Sequence, residues 1–203
     1  WGLGHFDHST KGSKVGDHIL DAGWTEYDKH ALYVTFDLTD KLKKGDNTIG
    51  VILGNGFYFI PRDDRYRKLT GAYGFPKLIC RVLLEYSDGS TENIVSDEQW
   101  KTSPSPITST SIYGGEDYNA TLEQKNWDKP VFNDAKWKNA IIVQGSPVLN
   151  SQTAEPVKLF ETFTPVKISS PKPGIWVYDM GQNASAIPAI ETNGKKGAVL
   201  RIT

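Results

Sequence analysis

The sequence predicts an all-β protein: a jelly-roll-like antiparallel β-sandwich over residues 1–150, followed by a partial second β-domain over 151–203. Three observations predict it. Short apolar or alternating runs recur, with turn residues roughly every eight to twelve positions, the spacing of strands in a sandwich. Asp-Gly and Asn-Gly dipeptides sit between such runs, and these are the strongest short-range hairpin signals. Helical periodicity is nearly absent, while aromatic residues reach 11% in a chain with 19 Gly.

The elements can be taken in order. Strand runs are read at 32–37, 48–53, 77–86, 91–96, 100–102, 140–143, 163–169, 176–178, 186–192 and 199–202. Turns are explicit at Lys44-Gly45-Asp46-Asn47, Ser87-Asp88-Gly89-Ser90 and Thr192-Asn193-Gly194-Lys195, so 83–95 reads as a β-hairpin. Residues 39–45 read as one capped turn, begun by Thr39 or Asp40 and stopped by Gly45. A second turn is read at 134–138, with Asn133 or Asp134 as its cap. The stretch 148–156 is polar and turn-rich, which sets the domain boundary near 150. The segment 151–203 is too short for a second complete sandwich and reads as the first strands of a truncated domain. The chain opens without Met and stops inside a strand-like run, so it reads as a piece of a longer protein.

Composition removes several function classes. A net charge of −1 and a pI near 6.5 provide no basic field for a nucleic-acid backbone. No apolar run is long enough to span a bilayer, so no membrane partner is expected. Cys80 is the one cysteine, which excludes an intrachain disulfide and a cysteine-rich metal site; its apolar context predicts a small buried hydrophobe. His5, His8, His18 and His30 form no zinc-ligand spacing. Neither a nucleophile elbow nor a phosphate-binding loop occurs. Glu116 and Asp117 are adjacent, and neighbours on a strand point to opposite faces, so they make a poor pair for glycoside hydrolysis. The chain by itself is expected to be inactive and to require no cofactor.

Three segments carry the chemistry that remains. They are Gly16-Asp17-His18-Ile19-Leu20-Asp21-Ala22-Gly23-Trp24-Thr25-Glu26-Tyr27, Leu53-Gly54-Asn55-Gly56-Phe57-Tyr58 and Ile112-Tyr113-Gly114-Gly115-Glu116-Asp117-Tyr118. Each places glycines beside aromatics and a carboxylate or amide. Glycine permits a tight turn or a close approach. An aromatic ring gives a flat face for the C–H side of a pyranose, and carboxylates and amides reach its hydroxyls. Trp24, Tyr27, Phe57, Tyr58 and Tyr113 are the candidate platforms; Asp21, Asn55 and Glu116 are the candidate hydrogen-bonding groups. The alternative is structural: the same aromatics close a sandwich beside tight turns. Calcium takes oxygen ligands from loops, and Asp21, Asn55, Asp63, Asp64 and Glu116 could supply them if those loops converge. Ordinary solvent-facing carboxylates are the alternative there. The charge run at 62–68 reads as a solvated loop, and its position after Tyr58 places it over the same end of the sandwich.

These motifs in series are similar to the N-terminal β-sandwich module of bacterial α-L-rhamnosidases. The residues that carry the likeness are Val15-Gly16-Asp17, Asp21-x-Gly23-Trp24-Thr25-x-Tyr27, Leu53-Gly54-Asn55-Gly56-Phe57-Tyr58, Tyr86-x-Asp88-Gly89-Ser90, Ser96-Asp97-x-x-Trp100-Lys101, Ile112-Tyr113-x-Gly115-Glu116-x-Tyr118 and Trp127. Tyr178-Asp179-Met180-Gly181-Gln182-Asn183 resembles the start of the next β-domain of those enzymes. The resemblance implies an accessory, noncatalytic part of a secreted or periplasmic glycosidase. The catalytic (α/α)6 barrel of that family lies C-terminal to these modules. The implied partners are a rhamnose-containing carbohydrate and the catalytic domain of the parent chain. Some modules of the family bind terminal L-rhamnose with calcium. A second implied role is purely structural, packing on the barrel and orienting it; a protein-binding sandwich is a third. One departure is visible: Lys11 precedes Gly12 where the family carries an Asn-Gly turn, and this predicts an altered first hairpin.

Overall fold

The structure is a computed structural model that describes residues 2–62, 64–67 and 71–203. It divides into two compact units, Trp1–Leu159 and Phe160–Thr203. The chain is nearly all β and mostly antiparallel, as its turn chemistry and alternation predict.

The centre of the first unit is the strand His5–Thr10, flanked by Ser13–Lys14 and Ile49–Gly54. Its register on the long partner runs from His5 opposite Gly54 to Thr10 opposite Ile49. Glycine is required where this ladder begins. Gly4 has φ +110°, and a Cβ there would lie 2.2 Å from the Gly54 carbonyl oxygen. The hairpin joining His5–Thr10 to Ser13–Lys14 keeps a two-residue turn, with Lys11 at φ 51° and Gly12 at φ 83°. Two consecutive positive φ values define the turn that Asn-Gly favours. Lys11 therefore adopts the left-handed conformation itself, and the expected alteration of the hairpin is not seen.

Further ladders build around this centre. Gly2–Leu3 pairs with Lys77–Leu78, and Phe59–Ile60 with Gly71–Ala72. Arg81–Glu85 pairs with Thr91–Val95 across Gly89, the hairpin read from sequence. Ile107–Ser111 pairs with Gly115–Tyr118, with a bulge between Ile107 and Ser109. One pair is parallel, Ala31–Tyr33 with Leu149–Ser151, and Val157–Lys158 pairs antiparallel with His18–Ile19. The last two pairings carry the first unit to Leu159, past the boundary expected near 150. The small core is Leu3, Tyr27, Ala31 and Tyr58, with Phe57 packed against it.

Both short turns form, but the first is shorter and begins earlier than read: Asp37, not Thr39 or Asp40, is the side-chain acceptor, taking the Thr39 N–H, and Leu42 N–H bonds back to Leu38. Asn133, rather than Asp134, supplies the side-chain cap at the second turn, accepting from Ala135 N–H. Cys80 is only partly buried and lies between two strands, because the run read as one strand at 77–86 is broken into Lys77–Leu78 and Arg81–Glu85. Burial raises its thiol pKa. The runs at 140–143, 186–192 and 199–202 form no strands. Next to the first of these, Lys138–Asn139 takes the place opposite Lys101–Thr102. An apolar β-branched run becomes a strand only when a partner supplies the ladder. Taken by itself, the second unit contains one hairpin, Lys167–Lys172 with Ile175–Asp179.

Candidate functional site

The peptide Phe57-Tyr58 divides the predicted site residues. The strand Ile49–Gly54 ends in a glycine-rich turn where Gly56 has φ +51°. A Cβ on Gly56 would lie 2.8 Å from the His5 backbone nitrogen, so the turn presses directly on the first strands. From that turn Phe57 and Tyr58 enter different aromatic groups.

On the Phe57 side the rings form a displayed row. Trp24 meets Phe57 with centroids 5.8 Å apart, and Phe57 meets Tyr113 edge-on at 6.5 Å. Tyr113 is in turn stacked on Tyr66 at 4.5 Å. Trp24 is 67% exposed and Tyr113 45%. Asn55 joins the same region by donating from Nδ2 to the Thr110 carbonyl at 2.8 Å. Thr110 lies opposite Glu116 in the ladder, so the exposed Glu116 belongs to this end as well. Arg65 spans the next position, donating to both oxygens of Asp117 at 2.6 Å. The charge run therefore does overhang this end through Arg65 and Tyr66; Asp63 and Lys68 lie outside the described residues.

On the Tyr58 side the rings are packed. Tyr27 and Tyr58 are 6% and 4% exposed and meet edge-to-face at 5.2 Å. Tyr73 stacks on Tyr58 at 5.8 Å and completes a trio. Tyr58 donates its hydroxyl to the Tyr73 carbonyl at 3.2 Å, and the Tyr73 N–H donates to the Tyr58 carbonyl at 3.1 Å. Thr25 bonding His30, and Lys29 and His30 bonding Glu26, curl the loop that turns Tyr27 inward. Burial first, then the neighbouring tyrosines, push the Tyr27 phenol up to about 12.

Asp21 stands apart from both groups. It is 4% exposed and its Oδ2 lies 2.8 Å from His18 Nδ1, while its carbonyl accepts from Phe6 N–H. Of the eight predicted residues, Trp24, Asn55, Phe57, Tyr113 and Glu116 come together at one end. Tyr27 and Tyr58 join the core, and Asp21 is engaged by His18. Among the described residues, no three His, Cys, Asp or Glu side chains gather as a metal set, and Asp64 pairs with Arg67. Sequence reasoning missed Tyr66 and Tyr73: Tyr66 sits inside a charge run, and Tyr73 lies far along the chain from Tyr27, which it meets edge-on.

The fold is that of the N-terminal β-domains of α-L-rhamnosidases. The sequence model of the α-L-rhamnosidase N-terminal domain matches residues 1–161, and the chain belongs to that family. It is 34% identical to an α-L-rhamnosidase of Formosa agariphila, over 99% of this chain and 22% of that protein. Among solved structures it resembles the α-L-rhamnosidase from Dictyoglumus thermophilum at a TM-score of 0.81 and 45% identity, covering 90% of this chain and 20% of that one. It also resembles the Streptomyces avermitilis α-L-rhamnosidase complexed with L-rhamnose, at a TM-score of 0.80 and 30% identity, with 90% and 18% covered. The chain thus spans about a fifth of the length of these relatives.

Proposed function

We propose that this chain is a noncatalytic accessory module of a longer α-L-rhamnosidase, and that its displayed aromatic row recognises rhamnose-containing glycans. The observation that carries this reading is the convergence of Trp24, Phe57 and Tyr113, distant in sequence, into one row with two well-exposed rings. Trp24 offers the most open ring and serves as the platform. Glu116 and the Asn55 side-chain oxygen lie at the same end for hydroxyl contacts. The bond from Asn55 to Thr110 holds the turn that presents Phe57. Hydrolysis is left to the rest of the parent chain. Here Asp21 is buried against His18 and Asp117 is taken by Arg65, so neither is free to serve in a hydrolytic carboxyl pair.

A second reading is favoured by a separate observation. Tyr27, Tyr58 and Asp21 are already buried in the fold, as a module that packs on and orients a catalytic barrel would require. Titrating L-rhamnose against intrinsic Trp fluorescence separates the two. Sugar recognition predicts a saturable response with a Kd of roughly 0.1–1 mM, as a stacked ring with few hydrogen bonds allows. Trp24→Ala should abolish it and Tyr113→Ala should weaken it. Absence of response at tens of millimolar sugar (roughly ten times that range) leaves the structural role. Loss of the response in EDTA would add a calcium ion bridging sugar and protein; an unchanged response would remove calcium from the reading. An aryl α-L-rhamnoside should release no phenol above buffer.

A further inference from the structure

A recess opens on the Tyr58 side, away from the row. Its volume is about 410 Å³, and its lining includes Tyr27, Tyr58, Tyr73, Lys77, Asp28 and the 144–147 wall. That volume lies within the roughly 300–1,000 Å³ of small-molecule pockets. The walls are held from several directions. Lys77 sits on the strand paired with Gly2–Leu3 and donates to the Gln144 carbonyl at 2.8 Å. Ser146 donates to the Tyr27 carbonyl at 2.6 Å, fixing the wall against the loop that carries Tyr27.

The polar groups of this recess favour one ligand charge. The Lys77 ammonium has three N–H donors; Gln144 accepts one, and the Tyr58 ring centroid lies 5.7 Å from the nitrogen. Among the described residues no carboxylate pairs with it. The Tyr27 hydroxyl has no hydrogen-bond partner among the described residues either, and its raised pKa keeps it a donor at neutral pH. Donors facing an apolar aromatic floor suit an anionic oxygen. Asp28, exposed, is the one carboxylate of the lining and suits neutral hydroxyls.

We propose that this recess binds a sugar acid: one pyranose-sized polyol whose carboxylate accepts from Lys77. Its C–H face lies against Tyr73, the exposed ring of the trio, and its hydroxyls reach Asp28. This site is independent of the aromatic row and of the reading given to that row.

The test uses the 203-residue chain and sodium D-glucuronate, with D-glucose and L-rhamnose as neutral controls, followed by backbone amide NMR shifts. Glucuronate should move the Tyr73, Gly145 and Ser146 amides saturably. Glucose should bind at least about tenfold more weakly, the scale of one charge-assisted hydrogen bond. Lys77→Met should abolish the glucuronate response, and Trp24→Ala should leave it intact while removing any response of the row. Should Lys77→Met fail to fold, the unaltered protein decides. Raising NaCl from about 50 to 500 mM should weaken glucuronate severalfold through screening. Equal responses to glucuronate and glucose would overturn the proposal. So would binding retained in Lys77→Met, salt-insensitive binding, or no saturable shift up to roughly 100 mM sugar acid.

Discussion

Phe57 and Tyr58 are neighbours in sequence and opposites in use. Tyr58 closes a packed trio with Tyr27 and Tyr73, and its hydroxyl and backbone are both bonded to Tyr73. Phe57 backs a row whose outer members are the largely open Trp24 and the partly exposed Tyr113, which stacks on Tyr66. Tyr58 is thus committed to the core, whereas Phe57 packs against that core and also backs the displayed row. The difference teaches that a Gly-aromatic motif is not one signal. Its glycines serve the close approach of the first strands, and the two aromatics after them serve different ends.

The sharpest way to break this comparison is to truncate one ring on each side. Tyr58→Ala removes a buried ring from between Tyr27, Tyr73 and Lys77 and should cost about 3–5 kcal/mol, as for other large core aromatics. Trp24→Ala removes an exposed ring and should cost less than about 1 kcal/mol. Urea unfolding of the two variants measures both. Comparable losses would show that the row is as much core as the trio.

The same contrast extends to the carboxylates. Asp21 is buried beside His18, and Asp21→Ala leaves that imidazole without its partner; we expect a loss of about 2–3 kcal/mol. Glu116 stands exposed on its strand, and Glu116→Ala should fall within about 0.5 kcal/mol of the parent. Thermal unfolding decides it. A Glu116→Ala loss as large as that of Asp21→Ala would move Glu116 from the displayed side to the structural one.

How much of the fold and site was legible depends on the range of each determinant. The hairpin at Asp88-Gly89 is decided by four local residues, so the sequence carries it completely. The all-β class is likewise a sum of local turn and alternation signals. The three segments of the candidate site were also visible, because glycine beside an aromatic is a local pattern. The division among their residues was not. Tyr27 is buried partly because Ser146, 119 positions away, bonds its carbonyl. Asn55 is engaged because Thr110 lies opposite Glu116 in a ladder formed by a Ser/Thr-rich run with little apolar alternation. The runs at 140–143, 186–192 and 199–202 had strand composition without a partner, and composition alone does not pair a strand. The end of the first unit at Leu159 depended on two short pairings with Ala31–Tyr33 and His18–Ile19 that leave no mark in the local sequence.

The last effect appears only in alkali, and it probes burial directly. Two phenols are pushed up to about 12, for different reasons. In Tyr27 desolvation leads; in Tyr118 the hydrogen bond to Glu123 leads, on an exposed side chain. A phenol whose folded pKa exceeds its ordinary value near 10 holds its proton more tightly in the fold. Its contribution is complete below pH 10 and is lost as pH rises from about 10 to 12. For Tyr27 that loss is of order 3 kcal/mol, from a shift of about two units at about 1.4 kcal/mol each. Tyr27→Phe cannot ionise. Its stability should match the parent near neutral pH, since among the described residues the hydroxyl has no partner, and it should decline less above pH 10. Tyr118→Phe should leave the alkaline profile almost unchanged, because solvent screens an exposed pair. Urea midpoints measured from pH 8 to 12 distinguish the outcomes. If Tyr118→Phe, and not Tyr27→Phe, flattens the alkaline fall, the Tyr58 side is wetter than the packed trio implies, and the division at Phe57-Tyr58 is weaker than drawn.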